Sequence, residues 1–142
     1  MERLTDDVTF RRLCRARDLL ASSLRERITL EQAAREACLS PFHFQRCFAR
    51  VFGETPHEFV TRLRMETAKR LLASGEMPVT EVCLEAGYTS LGTFSARFAA
   101  RTGQPPSEYR RMARRWVAPV GGWRTYRIPA CYTSLWVPSL SA

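Results

Sequence analysis

The chain is nearly devoid of lysine and histidine. Lys69 is the only lysine among 22 basic residues, and His43 and His57 are the only histidines. With two imidazoles and no C-x-x-C pair, the usual zinc-finger spacings cannot be assembled. No nucleophile–base motif and no phosphate-cradling glycine loop occurs, so the pattern does not point to an enzyme, and no metal or cofactor is expected. No apolar run approaches the roughly 18 residues of a membrane span. The opening MERLTDDVTFRR has no apolar centre for a signal peptide. The five cysteines are odd in number, and four of them (Cys14, Cys38, Cys47 and Cys83) fall inside helical apolar patterns. There a reduced cysteine acts as a small hydrophobe. The expected compartment is a reducing cytoplasm, with no membrane partner.

What is abundant is arginine. The 142 residues carry a formal net charge of +8, and 45% of them are hydrophobic. That is enough for one domain or two very small subdomains with a core. A basic surface favours a polyanionic partner, and arginine suits forked contacts to phosphate and guanine. Acidic residues are interspersed among the arginines, so this is no basic tail.

The chain also contains one unit twice. SPFHFQRCFARVFGETPHEF begins at Ser40, and SLGTFSARFAARTGQPPSEY begins at Ser90. A shift of fifty positions superposes Phe44 on Phe94, Phe48 on Phe98, Gly53 on Gly103, Pro56 on Pro106 and Phe59 on Tyr109. Upstream, EACLS matches EAGYTS with one extra residue in the turn. Each copy reads as a short helix (30–37 or 79–86), a tight turn and a second helix ending near a glycine. Thr29-Leu-Glu-Gln32 forms a capping-box pattern. Gly87 suits a left-handed turn position, where Cys38 fits less well. Short helix, turn and second helix make a helix-turn-helix.

The remaining segments fit around these units. Residues 9–25 form an expected first helix, with Leu13, Ala16, Leu20 and Leu24 along one face. Thr55-Pro56-His57-Glu58 starts a linker helix that runs to Ser74 and stops at Gly75. A last helix follows Pro105-Pro106 and runs through Arg114. The expected fold is all-α, about seven helices. It divides into a first helix-turn-helix subdomain (1–53), the linker helix (54–75), a second subdomain (76–115) and a C-terminal arm (116–142). The arm holds all three tryptophans and no acidic residue. It reads as an irregular or extended aromatic strap over the helical body, as a dimer contact, or as a small-ligand surface.

A helix-turn-helix places its second helix in the major groove of DNA. Phe44 and Phe48 share the face that would hold the first such helix in the core. Phe42, Gln45 and Arg46 project from another face. Gln suits adenine, Arg suits guanine, and Phe can press on a thymine methyl. The linker helix spans about 30 Å, and successive major-groove faces lie about 34 Å apart. One chain could therefore meet two half-sites of double-stranded DNA as a monomer.

With Arg64, Ala68, Leu71 and Leu72 in the linker, and Val82, Gly87, Tyr88, Ser90, Phe94, Phe98, Gly103, Pro106, Tyr109 and Arg110 in the second unit, residues 9–113 resemble the DNA-binding domain of AraC/XylS-family transcription regulators. The resemblance implies a seven-helix fold, promoter binding and, as a rule, activation through RNA polymerase. Carried over by position, it implies base reading by Phe42, His43, Gln45 and Arg46. In the second unit the base-reading positions are Leu91, Thr93 and Ser95. Ala96 stands where many members carry arginine, which removes a forked base contact from that unit. Many members also carry a separate sensor domain; with about eight residues before the first helix, none is expected here.

Candidate phosphate contacts are Ser40, Arg50, Thr55, Arg64, Ser90, Arg97, Ser107, Arg110 and Arg111. Each has a plainer reading. Arg64 could brace the linker internally, and His43 could hydrogen-bond locally. The arginine run at 110–115 could be an ordinary solvated face. The competing function is a helical protein-interaction module that keeps this fold with weak or non-specific DNA binding.

Overall fold

Three serine or threonine hydroxyls decide where three of the helices begin. Ser40, Thr55 and Ser90 are extended at their own backbone, and each side chain accepts a hydrogen bond from the N–H three residues on. Proline follows at the first helical position in two of the three, where its missing N–H costs nothing. Gly53, Gly75 and Gly103, all left-handed, end the same three helices. The computed structural model describes residues 7–117. Its elements are α1 (Asp7–Ser22), α2 (Leu30–Glu36), α3 (Pro41–Phe52), α4 (Pro56–Ser74), α5 (Val79–Glu85), α6 (Leu91–Thr102) and α7 (Pro106–Val117). Among the described residues the fold is all-α with seven helices, as the repeat requires.

Two helices, the first and the last, differ from expectation by more than one residue. The first helix spans Asp7–Ser22 rather than 9–25. Ser22 turns its hydroxyl back onto the Leu19 carbonyl at 3.1 Å, occupying an acceptor at the helix end. Leu24 consequently lies in the turn beyond α1, and the buried face is Leu13, Ala16 and Leu20. The last helix runs through Val117, two residues into the expected arm. The rest of that arm lies outside the described residues.

Two cores follow from the repeat. In the first, Phe44 and Phe48 are fully buried and pack edge-on at 5.5 Å, and Phe48 meets Phe59 at 5.7 Å. In the second, Phe94 and Phe98 lie 5.7 Å apart, and Phe98 meets Tyr109 edge-on at 5.2 Å. Each buried Phe contributes about 1.5–3 kcal/mol by leaving water. The linker α4 serves both cores: Phe59 enters the first, and Met65, Ala68 and Leu72 enter the second. Its start carries a full capping box between Thr55 and Glu58, and those bonds hold the Glu58 carboxyl below its ordinary range. Its end is closed by Arg114, which donates to the Gly75 carbonyl at 2.6 Å, a cation at the negative pole of the helix.

The two tight turns make the same backbone bonds. Cys38 N–H reaches Arg35 O and Leu39 N–H reaches Ala34 O, while Gly87 N–H reaches Leu84 O and Tyr88 N–H reaches Cys83 O, all at 2.9 Å. Both turns need a left-handed residue, so Cys38 sits at φ 55° where its counterpart is Gly87 at φ 80°. A side chain there costs about 1–2 kcal/mol. Exchanging Cys38→Gly removes that strain, less the entropy of the freer unfolded chain. Urea unfolding should therefore show a gain of about 0.5–1 kcal/mol. Gly87→Ala should lose about 2–5 kcal/mol, because strain adds to a collision with the Leu24 carbonyl.

Candidate nucleic-acid interface

The α3 helix turns its sides apart as the repeat predicts. Phe44, Cys47 and Phe48 are buried, and Phe42, His43, Gln45 and Arg46 are exposed together on the outer face. Phe42 is 71% exposed, an unusual position for a large aromatic with no structural task. Its ring lies 5.6 Å from the Arg46 guanidinium carbon. That cation–π contact narrows the freedom of both side chains before any ligand arrives. His43 Nε2 lies 3.4 Å from Cys47 Sγ one turn along. The local-bond reading of His43 therefore has a geometry, although its ring stays on the exposed face.

The outer face of α6 is flatter. Leu91, Gly92, Thr93 and Ala96 are exposed, and Ser95 is half-buried. Leu91 is 43% exposed. Neither α3 nor α6 contains an acidic residue. Arg46 and Arg50 on one, and Arg97 and Arg101 on the other, thus give both helices an unopposed positive field of their own.

The phosphate candidates separate into groups. Ser40, Thr55 and Ser90 use their hydroxyls as helix caps, accepting from His43, Glu58 and Thr93 N–H at 3.4, 3.3 and 3.3 Å. Such helix starts also present free N–H groups to an anion. Arg50 and Arg97 are exposed. Ser107, Arg110 and Arg111 line one open groove with Val79, Arg114 and Arg115. Within it, Arg111 pairs with Glu108 at 2.8 Å, and the buried Arg110 Nε has no hydrogen-bond partner.

Arg64 stands apart from all of these. It is half-buried, its Nε donates to the Leu24 carbonyl at 3.3 Å, and its guanidinium carbon lies 5.8 Å from the Tyr88 ring centre. Burial pushes its pKa down. Of its two readings, the geometry favours the internal brace. Sequence reasoning missed its companions Leu24, Arg25, Arg27, Glu85 and Thr89. The Arg27–Thr89 bond joins residues 62 positions apart, and no local pattern announces it.

The helix-turn-helix domain family matches residues 33–112, more than half of the chain. The chain belongs to the AraC-type helix-turn-helix family. It is 34% identical over 80 residues to the HTH-type transcriptional regulator Rv1931c of Mycobacterium tuberculosis, covering 56% of this chain and 31% of that protein. It is 31% identical over 81 residues to the virulence regulon transcriptional activator VirF of Yersinia enterocolitica, covering 57% and 30%. The chain thus spans about a third of the length of the curated relatives it matches. The DNA-binding domain of the global transcriptional factor AdpA, solved with a target DNA, superposes with a TM-score of 0.70 at 28% identity. That match covers 77% of this chain and 97% of the other.

The AraC-type fold and the exposed α3 face together generate a mutational expectation. Arg46→Ala should cost about 1–3 kcal/mol on a preferred duplex and relax the preference at one base pair. Arg97→Ala should weaken all duplexes alike and lower the salt slope by about 1. Titrations on preferred and random DNA at several salt concentrations separate the two. Equal losses on both duplexes for Arg46→Ala would remove Arg46 from base reading.

Proposed function

We propose that the chain is a sequence-specific DNA-binding transcription regulator that lays α3 and α6 in successive major-groove faces of one duplex. The observation that carries this reading is the outer face of α3. Phe42, Gln45 and Arg46 stand exposed on a helix anchored by two fully buried phenylalanines. A solvated face has no need of an exposed phenylalanine braced on an arginine. A major-groove face can use one against a thymine methyl, with Gln for adenine and Arg for guanine. The net charge of +8 and the acid-free reading helices supply the non-specific attraction. The fold shared with AdpA's DNA-binding domain supports the same reading.

The chain acts as a monomer on DNA in this proposal, because both reading helices lie in one polypeptide. Its role is regulatory rather than enzymatic. Activation through RNA polymerase is the proposed sign of regulation, supported by the activator VirF among its relatives.

The two halves contribute unequally. Gln45 and Arg46 can make forked bonds to purine edges, while Leu91, Gly92 and Ala96 can make none. Selection from a random duplex pool, followed by a point-change scan of the winning site, tests the whole reading. Changes under α3 should cost about 1–3 kcal/mol per base pair. Changes under α6 should cost less and follow groove width and flexibility, except at a thymine methyl beneath Leu91. Ala96→Arg should add a guanine preference in the second half. Failure of the pool to converge, with binding that falls away in moderate salt for every sequence, would favour a protein-interaction module instead.

A further inference from the structure

Two reading helices in separate units can work together only if their relative placement is fixed. The shared helix α4 supplies part of that constraint. The rest comes from a contact between the loop after α1 and the turn of the second helix-turn-helix. Leu24 aims its carbonyl oxygen at the junction of α4 and the second turn, where Arg64 Nε on α4 donates to it at 3.3 Å. Gly87 approaches the same carbonyl so closely that any Cβ would collide with it, and would come within 2.9 Å of Arg64 Nε. Beside this point, Arg27 Nη2 donates to Thr89 Oγ1 at 2.9 Å, and Arg25 pairs with Glu85 at 2.7 Å.

The position of Thr89 gives the contact a meaning beyond packing. Thr89 is the one residue by which the second turn exceeds the first when the repeats are superposed. It directly precedes Ser90, the cap of α6, so Arg27 grips the chain at the entrance to the second reading helix. The Arg25–Glu85 pair joins an exposed arginine to a half-buried glutamate and is weak by itself. The half-buried Leu24–Arg64–Gly87 contact carries the register, and the exposed bonds keep the loop seated on it.

We propose that residues 24–27 form a latch that holds the N-terminal end of α6 at a set place relative to α3, and thereby fixes the spacing between half-sites that one chain can read. The proposal rests on the DNA-binding reading above. Leu24, Arg27 and Arg64 are positioning residues in it and touch no base. One base pair more or less moves the second groove by about 3.4 Å and turns it by about 35°. A latched pair of helices cannot follow that change without losing the second half.

The test compares the full chain with an Arg27→Ala/Thr89→Val variant, both sites being exposed and off the cores. Each is titrated on the selected duplex, on duplexes with one base pair inserted or removed between the halves, and on the first half alone. The wild type should lose about tenfold in affinity at the shifted spacings, and the variant less than about threefold, with equal affinity for the first half. Equal spacing penalties in both proteins, or a wild type indifferent to spacing, would overturn the latch. A second measurement is independent of DNA: backbone 15N relaxation of the free chain. The two units should share one rotational correlation time in the wild type and separate in the variant. Units that already tumble separately in the wild type would overturn the latch, even if sequence-specific DNA binding itself were not observed. Gly87→Ala, which pushes the Leu24 loop away, should give the same relaxed spacing in whatever fraction remains folded.

Discussion

Everything in this molecule depends on α4 being buried by two cores at once. A helix in a folded protein draws most of its stability from packing of its apolar face rather than from its own propensity. Here Phe59 is held by the first aromatic cluster, and Met65, Ala68 and Leu72 by the second. Arg62 stiffens the intervening stretch, pairing with both Glu54 and Glu66 while its guanidinium lies 5.4 Å from the centre of the Phe59 ring. Those two acids hold the Arg62 pKa up. The helix thus sets the distance between the two helix-turn-helix units through packing, and the loop after α1 adds the contact that orients one against the other.

Duplicated architecture does not bring duplicated chemistry. The buried faces of α3 and α6 carry the same Phe pair, since both must fill the same kind of space. The outer faces are free of that constraint, and they diverge: Phe42, Gln45 and Arg46 in one, Gly92, Ser95 and Ala96 in the other. Packing therefore keeps the Phe pair of α6 in place while its outer side chains stay short. In the proposed function, shape and phosphate reading are what such a face can offer.

Most of the helices were legible from the chain because their signals are local. Capping hydroxyls and terminal glycines bracket α3, α4 and α6, prolines start the first two, and the structure keeps those limits. The first helix was harder. Its apolar stripe continues to Leu24, and nothing local says that Ser22 will fold back and end it. The α3 face was legible because burial of Phe44 and Phe48 forces its neighbours outward. Arg64 was only half legible: its spacing marked it, but its partner is a backbone carbonyl forty positions away. The left-handed Cys38 was a misfit in the pattern and remains one in the structure, held by the turn's backbone bonds.

In the proposed function one chain engages one duplex at two places. Hydroxyl-radical footprinting of the selected site, with the stoichiometry of the same complex measured by native mass spectrometry, addresses it most directly. One chain per duplex and two protected patches on one face of the DNA, about one helical turn apart, are expected. A single patch under one chain, or two patches that appear only when two chains are bound, would contradict it.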